Sequence, residues 1–292
     1  MPNFEHILFP VDLSEQSRQA APFVRAVAER FGADIALLHV IEIPPYWYGT
    51  LGAESFAAMV DLPSLIAARK SEFAGFLTND FNGLRVERAI QEGDPSEVIV
   101  EYVRNRGIDL IMMPTHGAGP FRQLLLGSVT AKVLHDVDCA VWTAAHTEGP
   151  ATHPSEVRSM LCALELGPEA LPLLKRCAEL AASYGALLRI VHAVPGADAP
   201  PGQYCDTEFN AFLMNLAREE LAQLQSKAQT CFDVCIGRGD VAKVVRETAL
   251  HHEADLVVMG RGLLPRTLGR FRTHAYSVIR EAPCPVLSVL SL

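Results

Sequence analysis

Basic residues are in the minority here: 25 Lys and Arg against 34 Asp and Glu leave a net charge of −9, with a sequence pI near 5.6. Nucleic acid and anionic membrane surfaces are held by clustered basic side chains, so this balance argues against both as main partners. Long apolar runs are missing as well, and none approaches the roughly 20 residues that a membrane-spanning helix needs. Met1–His6 carries no basic segment followed by an apolar stretch, so no signal peptide is readable. The seven cysteines are odd in number and scattered, which fits reduced thiols in a cytoplasmic protein better than a disulfide framework. No glycine loop is followed by Lys and Ser or Thr, which excludes a Walker A phosphate loop.

What is present is apolar and repetitive. Hydrophobic residues make up 49% of the 292 positions, enough for a real core, and the length suits two domains of roughly 150 residues. Gly32 and Gly185 each follow an amphipathic helical pattern and precede a strand pattern ending near a histidine, His39 or His192, and both pairs are 153 positions apart. Gly93-Asp94 and Gly239-Asp240, Asp109 and Asp255, and Met113 and Met259 are 146 apart, while Cys139 and Cys284 are 145 apart. A duplication explains these spacings if the second copy lost seven residues after its second strand and one more further on. Ala144–Glu156 is rich in Pro, Thr, Ala and Gly and marks a linker. We set the boundaries at residues 1–146, 147–156 and 157–292.

In repeat one the pattern predicts strands at His6–Val11, Ile35–Val40, Leu84–Ile90, Asp109–Met113 and Cys139–Thr143, alternating with helices. Such alternation implies right-handed crossovers and a parallel sheet. Ile43–Pro63 is long for a connection and carries Tyr46, Trp47 and Tyr48; it reads as a lid or as a packing excursion. The two last strands, Cys139–Thr143 and Pro285–Leu290, are short and apolar, and we expect them to meet edge to edge.

The most informative stretch runs from Asp109 to Val141. A buried strand ends at Pro114, a loop carries His116, Gly117, Gly119 and Arg122, and Gly127-Ser128 opens a helical pattern. Backbone N–H groups at such a helix start are a natural seat for phosphate. Gly117, nine intervening residues and Gly127-Ser128 resemble the nucleotide motif of the universal stress proteins, in which Gly, two residues and Gly precede nine residues and Gly-Ser or Gly-Thr. The family's first glycine falls on Pro114. The resemblance covers nearly the whole chain. It implies two tandem α/β repeats of the adenine nucleotide alpha hydrolase-like kind, each a five-stranded parallel sheet of order 3-2-1-4-5 with helices on both faces.

The resemblance further implies an ATP-binding stress-response module, with or without Mg2+. It assigns Asp12 to the ribose or adenine, the backbone around Val40 to the adenine edge, and Gly117, Gly127, Ser128 and Val129 to the phosphates. Pro10, Val11 and Met113 complete the expected nucleotide-binding set, with Arg122 placed for a terminal phosphate or left solvated. It also implies an internal pseudo-dimer of the two repeats, with homodimers of the whole chain and unknown protein partners left open. Neither a catalytic residue nor a metal site is expected. An interaction scaffold with a vestigial site and a slow ATP hydrolase stand as alternatives.

Other constellations read as bland. Gly237-Arg238-Gly239 with Ala242 matches a loose dinucleotide pattern, but its counterpart is the Gly93-Asp94 turn. Cys231 and Cys235 lack a second pair of metal ligands, and His251-His252 reads as a surface pair at a helix end. Repeat two departs from the motif: Glu165 stands for Asp12, Gly260 is kept, Leu263 replaces the second glycine, and Arg272-Thr273 replaces Gly127-Ser128. Arg261, Arg266, Arg270 and Arg272 there read as a solvated basic loop or as side chains that recognise an anion. Repeat one is therefore expected to bind nucleotide, and repeat two is not.

Overall fold

A computed structural model describes residues 4–42, 62–115, 126–144, 156–195, 207–261 and 273–290. The lid candidate Ile43–Pro63, apart from its last two residues, and the loop residues His116, Gly117, Arg122, Leu263, Arg266, Arg270 and Arg272 lie outside them. The described residues fall into two compact units. One comprises Phe4–Arg122 and Gly127–Cys139, and the other is dominated by Ala140–Leu292.

In the first unit the elements alternate as β1 (His6–Val11), α1 (Glu15–Phe31), β2 (Asp34–Ile41), α2 (Leu62–Gly75), β3 (Val86–Glu92), α3 (Pro95–Arg106), β4 (Leu110–Met113) and α4 (Ser128–Asp136). The strands are parallel: β1 pairs with β2 along its whole length and with β4 at Ile7 and Leu8, and β2 pairs with β3. Ile7, Leu8, Phe9, Leu37, Leu38, Leu110 and Ile111 have no exposed surface at all. These are the unbroken apolar runs of a sheet covered on both faces. The helices end where the sequence says they should. Gly32 and Gly107 adopt left-handed φ of 66° and 62° after α1 and α3, a conformation that glycine enters without a Cβ clash.

The second unit holds β5 (Ala140–Thr143), β6 (Ser159–Ala163), α5 (Ala170–Tyr184), β7 (Leu187–Val194), α6 (Thr207–Ala228), β8 (Asp233–Arg238), α7 (Val241–His251), β9 (Leu256–Arg261), α8 (Thr273–Glu281) and β10 (Val286–Leu290). Its strand order is β5-β10-β9-β6-β7-β8. Within repeat two this is the expected order 3-2-1-4-5, read from β8 to β10.

Among the described residues β5 is the one antiparallel strand, pairing Val141, Trp142 and Thr143 with Ser288, Leu287 and Val286 of β10. Two fully buried hydroxyls close the seam: Thr143 Oγ1 donates to the Val286 carbonyl at 3.3 Å, and Ser288 Oγ donates to that of Val141 at 3.1 Å. The two terminal strands thus meet as their apolar edges led us to expect. In consequence the packing boundary falls between Cys139 and Ala140, ahead of the boundary marked by the repeat spacing.

Equivalent aspartates lock the first strand of each repeat. Asp109 Oδ2 accepts from the backbone N–H groups of Glu5 and His6 at 2.8 and 3.1 Å. Asp255 Oδ2 accepts from those of Arg158 and Ser159 at 2.8 and 2.9 Å. Among the described residues no helix is long and apolar enough to cross a membrane.

Candidate functional site

Because β1 lies between β2 and β4 and all three run parallel, their carboxyl ends, at Val11, Ile41 and Met113, share one edge of the sheet. The chain progresses through β2 and β3 on one side of β1 and through β4 on the other. That reversal leaves a crevice beyond the strand ends, the usual ligand position in open α/β sheets. Pro10, Val11 and Met113 are buried in the strands that form its floor, Val40 is half-buried near the end of β2, and Asp12 is exposed just past β1.

The β1–α1 turn is built to hold that carboxylate. Asp12 Oδ1 accepts from the Ser14 backbone N–H at 3.0 Å and from Ser17 Oγ at 2.8 Å, and the Asp12 N–H approaches the same Ser17 oxygen at 3.4 Å. Ser14 in turn caps α1, accepting from the Ser17 N–H at 3.3 Å. Leu13, between them, is forced to φ 62°, a left-handed conformation that costs a non-glycine residue about 1 kcal/mol or more. Sequence reading placed Asp12 here but missed Ser17, which is 1% exposed. The signal was the spacing Asp12, Ser14, Ser17, a pattern in which short polar side chains fold back on the local backbone.

Across the crevice, α4 begins at Ser128 with Gly127 as its cap and no side-chain hydrogen bond to its first turn. The turn is anchored from behind: the Gly127 N–H donates to the Thr115 carbonyl at 3.0 Å, and Thr130 Oγ1 donates to that of Pro114 at 3.2 Å. Pro114 therefore serves as an acceptor that ties β4 to α4. Having no N–H, it offers no donor where the family motif has glycine. Ser128 is exposed, and Gly127 and Val129 are half-exposed.

His39 and His192, which the sequence shows only as markers of the repeat, have a shared job. His39 Nδ1 lies 2.8 Å from the Val11 carbonyl, and His192 Nδ1 lies 2.8 Å from that of Leu164. A carbonyl accepts, so each ring carries its proton on Nδ1 and pins the end of its repeat's first strand. His39 is 7% exposed and stacks on Phe73, with ring centroids 5.7 Å apart.

Among the described residues, repeat two departs from the rest. After β6 no side chain caps α5, whose N-cap residue Glu169 makes no capping hydrogen bond. β9 runs on through Gly260 to Arg261, pairing both with β10, whereas β4 stops at Met113. Proline at 114 cannot donate to a ladder, and glycine at 260 can. Arg261, at the position equivalent to Thr115, is only 7% exposed. The loose dinucleotide match is a turn, as expected: Gly239 takes φ 110° and Asp240 caps α7 by accepting from the Lys243 N–H at 3.0 Å. Cys235 and His252, read separately as bland, come together, with Cys235 Sγ 3.4 Å from His252 Nε2. Among the described residues no three His, Cys, Asp or Glu side chains are grouped to hold a metal.

An open parallel α/β repeat with a crevice at its reversal of strand order, present twice in one chain, is the class of protein this geometry defines. The model of the Universal stress protein family matches residues 3–144 and again residues 156–289, and the chain belongs to that family as a tandem of two such domains. Similar proteins include universal stress protein A homolog 1 of Coxiella burnetii, 32% identical over 146 residues that make up 48% of this chain and 97% of that one. A universal stress protein of Methanocaldococcus jannaschii is 26% identical over 138 residues, 47% of this chain and 80% of its own. The structure of a universal stress protein from Archaeoglobus fulgidus aligns over 100% of this chain and 98% of its own, with a TM-score of 0.64 and 21% identity. At that identity the likeness establishes the fold.

Proposed function

We propose that this chain is a cytoplasmic ATP-binding regulatory module that takes one adenine nucleotide, in the crevice of repeat one. The observation that carries the reading is the pairing, on one sheet edge, of a carboxylate held by its own turn with a helix start left without a side-chain cap. Asp12 then takes the ribose or adenine, and the first-turn N–H groups of Ser128 and Val129 take phosphate. Mg2+, where present, would come with the phosphates. We read the protein as a binder whose nucleotide state alters its partners. A vestigial site is the second reading, favoured by the donor that Pro114 lacks. Nucleotide released by heating the purified protein distinguishes the two, and steady-state ATP turnover distinguishes both from a slow hydrolase.

Calorimetry with ATP tests the site. A branched side chain at Gly127 both obstructs the helix start and stiffens it, so Gly127→Val is expected to weaken binding at least about tenfold, or about 1.4 kcal/mol. Arg272→Gly, at the equivalent place in repeat two, is expected to leave it unchanged. Two equivalent sites per chain, or a Gly127→Val protein that binds as the parent does, would overturn the assignment.

A further inference from the structure

The meeting of Cys235 and His252 has no counterpart in repeat one, where Ala89 and Arg106 hold the equivalent positions and Arg106 pairs with Glu87 at 3.1 Å. Cys235 is half-buried on β8, and its Sγ lies 3.4 Å from His252 Nε2. That distance suits a thiol donating to an unprotonated ring nitrogen, sulfur being the larger atom.

The histidine is held in place. Its backbone N–H donates to the Thr248 carbonyl at 3.1 Å, its own carbonyl accepts from Ser159 Oγ at 3.1 Å, and its ring stands edge to face with His251 at 4.7 Å. Arg189, on the neighbouring strand β7, sits beside the pair and faces Asp233 with Nε to Oδ2 at 3.9 Å. Three elements thus contribute: Arg189 from β7, Asp233 and Cys235 from β8, and the two histidines from the end of α7.

The protonation states agree with the geometry. Burial, with Arg189 and His251 adding to it and Asp233 opposing, keeps the His252 imidazole below its ordinary value, so near neutral pH the ring is a base ready to accept. Burial also pushes the Cys235 thiol up, and Asp233 adds to this while Arg189 opposes it. The resting sulfur is then a protonated thiol, and a thiol of high pKa makes the more nucleophilic thiolate once its proton has been removed. What such a thiol lacks is a base in contact, which His252 supplies.

We propose that Cys235 is a site of oxidation by hydroperoxides, with His252 taking the thiol proton. The proton passes from Sγ to Nε2 as sulfur attacks one peroxide oxygen. The S–O bond forms and the O–O bond breaks, oxidising sulfur by two electrons. The departing hydroxide or alkoxide recovers the proton from the imidazolium and leaves as water or alcohol. The product is a sulfenic acid, which a small thiol such as dithiothreitol returns to Cys235.

The chain carries its own control. Cys231, four residues upstream, is exposed where Cys235 is half-buried, so accessibility alone predicts that Cys231 reacts first. The full-length protein is treated with hydrogen peroxide, sulfenic acid is trapped with dimedone, and each cysteine is followed by peptide mass spectrometry. General-base assistance is worth about a hundredfold or more, and Cys235 is expected to label at least about tenfold faster than Cys231. His252→Gln is expected to abolish that advantage without changing Cys231.

The pH profile adds a readout that packing alone would not move. In the parent, the Cys235 rate falls as His252 becomes protonated at acid pH, whereas in His252→Gln it climbs with the thiolate fraction at alkaline pH. Unfolding the unaltered protein in urea should also erase the difference between the two cysteines. Faster labelling of Cys231, an unchanged rate in His252→Gln, or a Cys235 advantage that survives urea would each overturn the proposal.

Discussion

Asp109 and Asp255 stand 146 positions apart and each holds, with its Oδ2, the two equivalent backbone N–H groups of its own repeat. Asp12 and Glu165 stand 153 positions apart, at the ends of equivalent strands, and only Asp12 sits in a turn that clamps it. The contrast between these pairs runs through the whole molecule. Features that hold the sheet together recur in both repeats: the histidine on the first strand's terminal carbonyl, the left-handed glycine after the first helix, and the aspartate capping the third helix. Features that shape the crevice of repeat one are replaced in repeat two. Folding alone demands the first set in each copy, while the single nucleotide proposed above would demand the second set in only one.

If the aspartate clamps are equivalent parts of the framework, removing either should hurt equally. Each carboxylate oxygen takes two N–H donors, and losing charge-assisted hydrogen bonds of this kind costs about 2–4 kcal/mol in total. Asp109→Ala and Asp255→Ala are each expected to lower stability by that amount in urea unfolding, with Asn, which keeps an acceptor oxygen, falling between variant and parent. A large loss for one and none for the other would show that the two repeats are not held by the same device.

Gly237 is a smaller test and one where the repeats should differ. A Cβ built at Gly237 overlaps the Val244 side chain of α7, so β8 and α7 pack through the missing side chain. The equivalent residue in repeat one is Gln91, exposed on β3. Gly237→Ala is expected to cost about 1–3 kcal/mol through overpacking, and Gln91→Ala to cost little. Equal effects on the urea midpoint would mean that Val244 gives way and that the close approach is incidental.

Much of this was legible in the sequence because it depends on local chemistry. Gly32, Asp94 and Gly239 announce their caps and turns, and apolar runs such as Ile7–Phe9 announce buried strands. The position of Asp12 followed from the end of β1. What escaped needed tertiary proximity. Ser17 comes back onto Asp12 only once α1 has formed, and Cys235 meets His252 only when α7 lies against β8. The extension of β9 beyond the length of β4 rests on one proline-for-glycine difference, whose consequence appears only when the neighbouring strand asks for a donor. The pairing of the short strand β5 with β10, by contrast, was legible in two apolar edges left without partners.

The smallest expected effect is one of pH, and it sets two aspartates of repeat one against each other. Asp94 accepts from the Ser96 hydroxyl and from the Ser96 and Glu97 N–H groups, with Lys132 3.8 Å away, and these partners hold its carboxyl below the ordinary 3.8. A depressed acid binds its proton more weakly in the folded chain than in the unfolded one. Its contribution to stability is therefore present above the ordinary value and is lost as pH falls through the lowered one. Burial moves Asp109 the other way and outweighs its two N–H donors, one oxygen being buried with no partner among the described residues. Its contribution is present at low pH and is lost as pH rises through the raised value. Asp94→Asn should consequently flatten the loss of stability on acidification below about pH 4. Asp109→Asn should instead close part of its gap to the parent as pH rises from about 4 to 6. Both changes are modest, since Asp94 is largely solvated and water screens its partners. Urea midpoints measured for the parent and both variants across that range decide it, and slopes of the same sign for the two variants would show that burial does not govern Asp109.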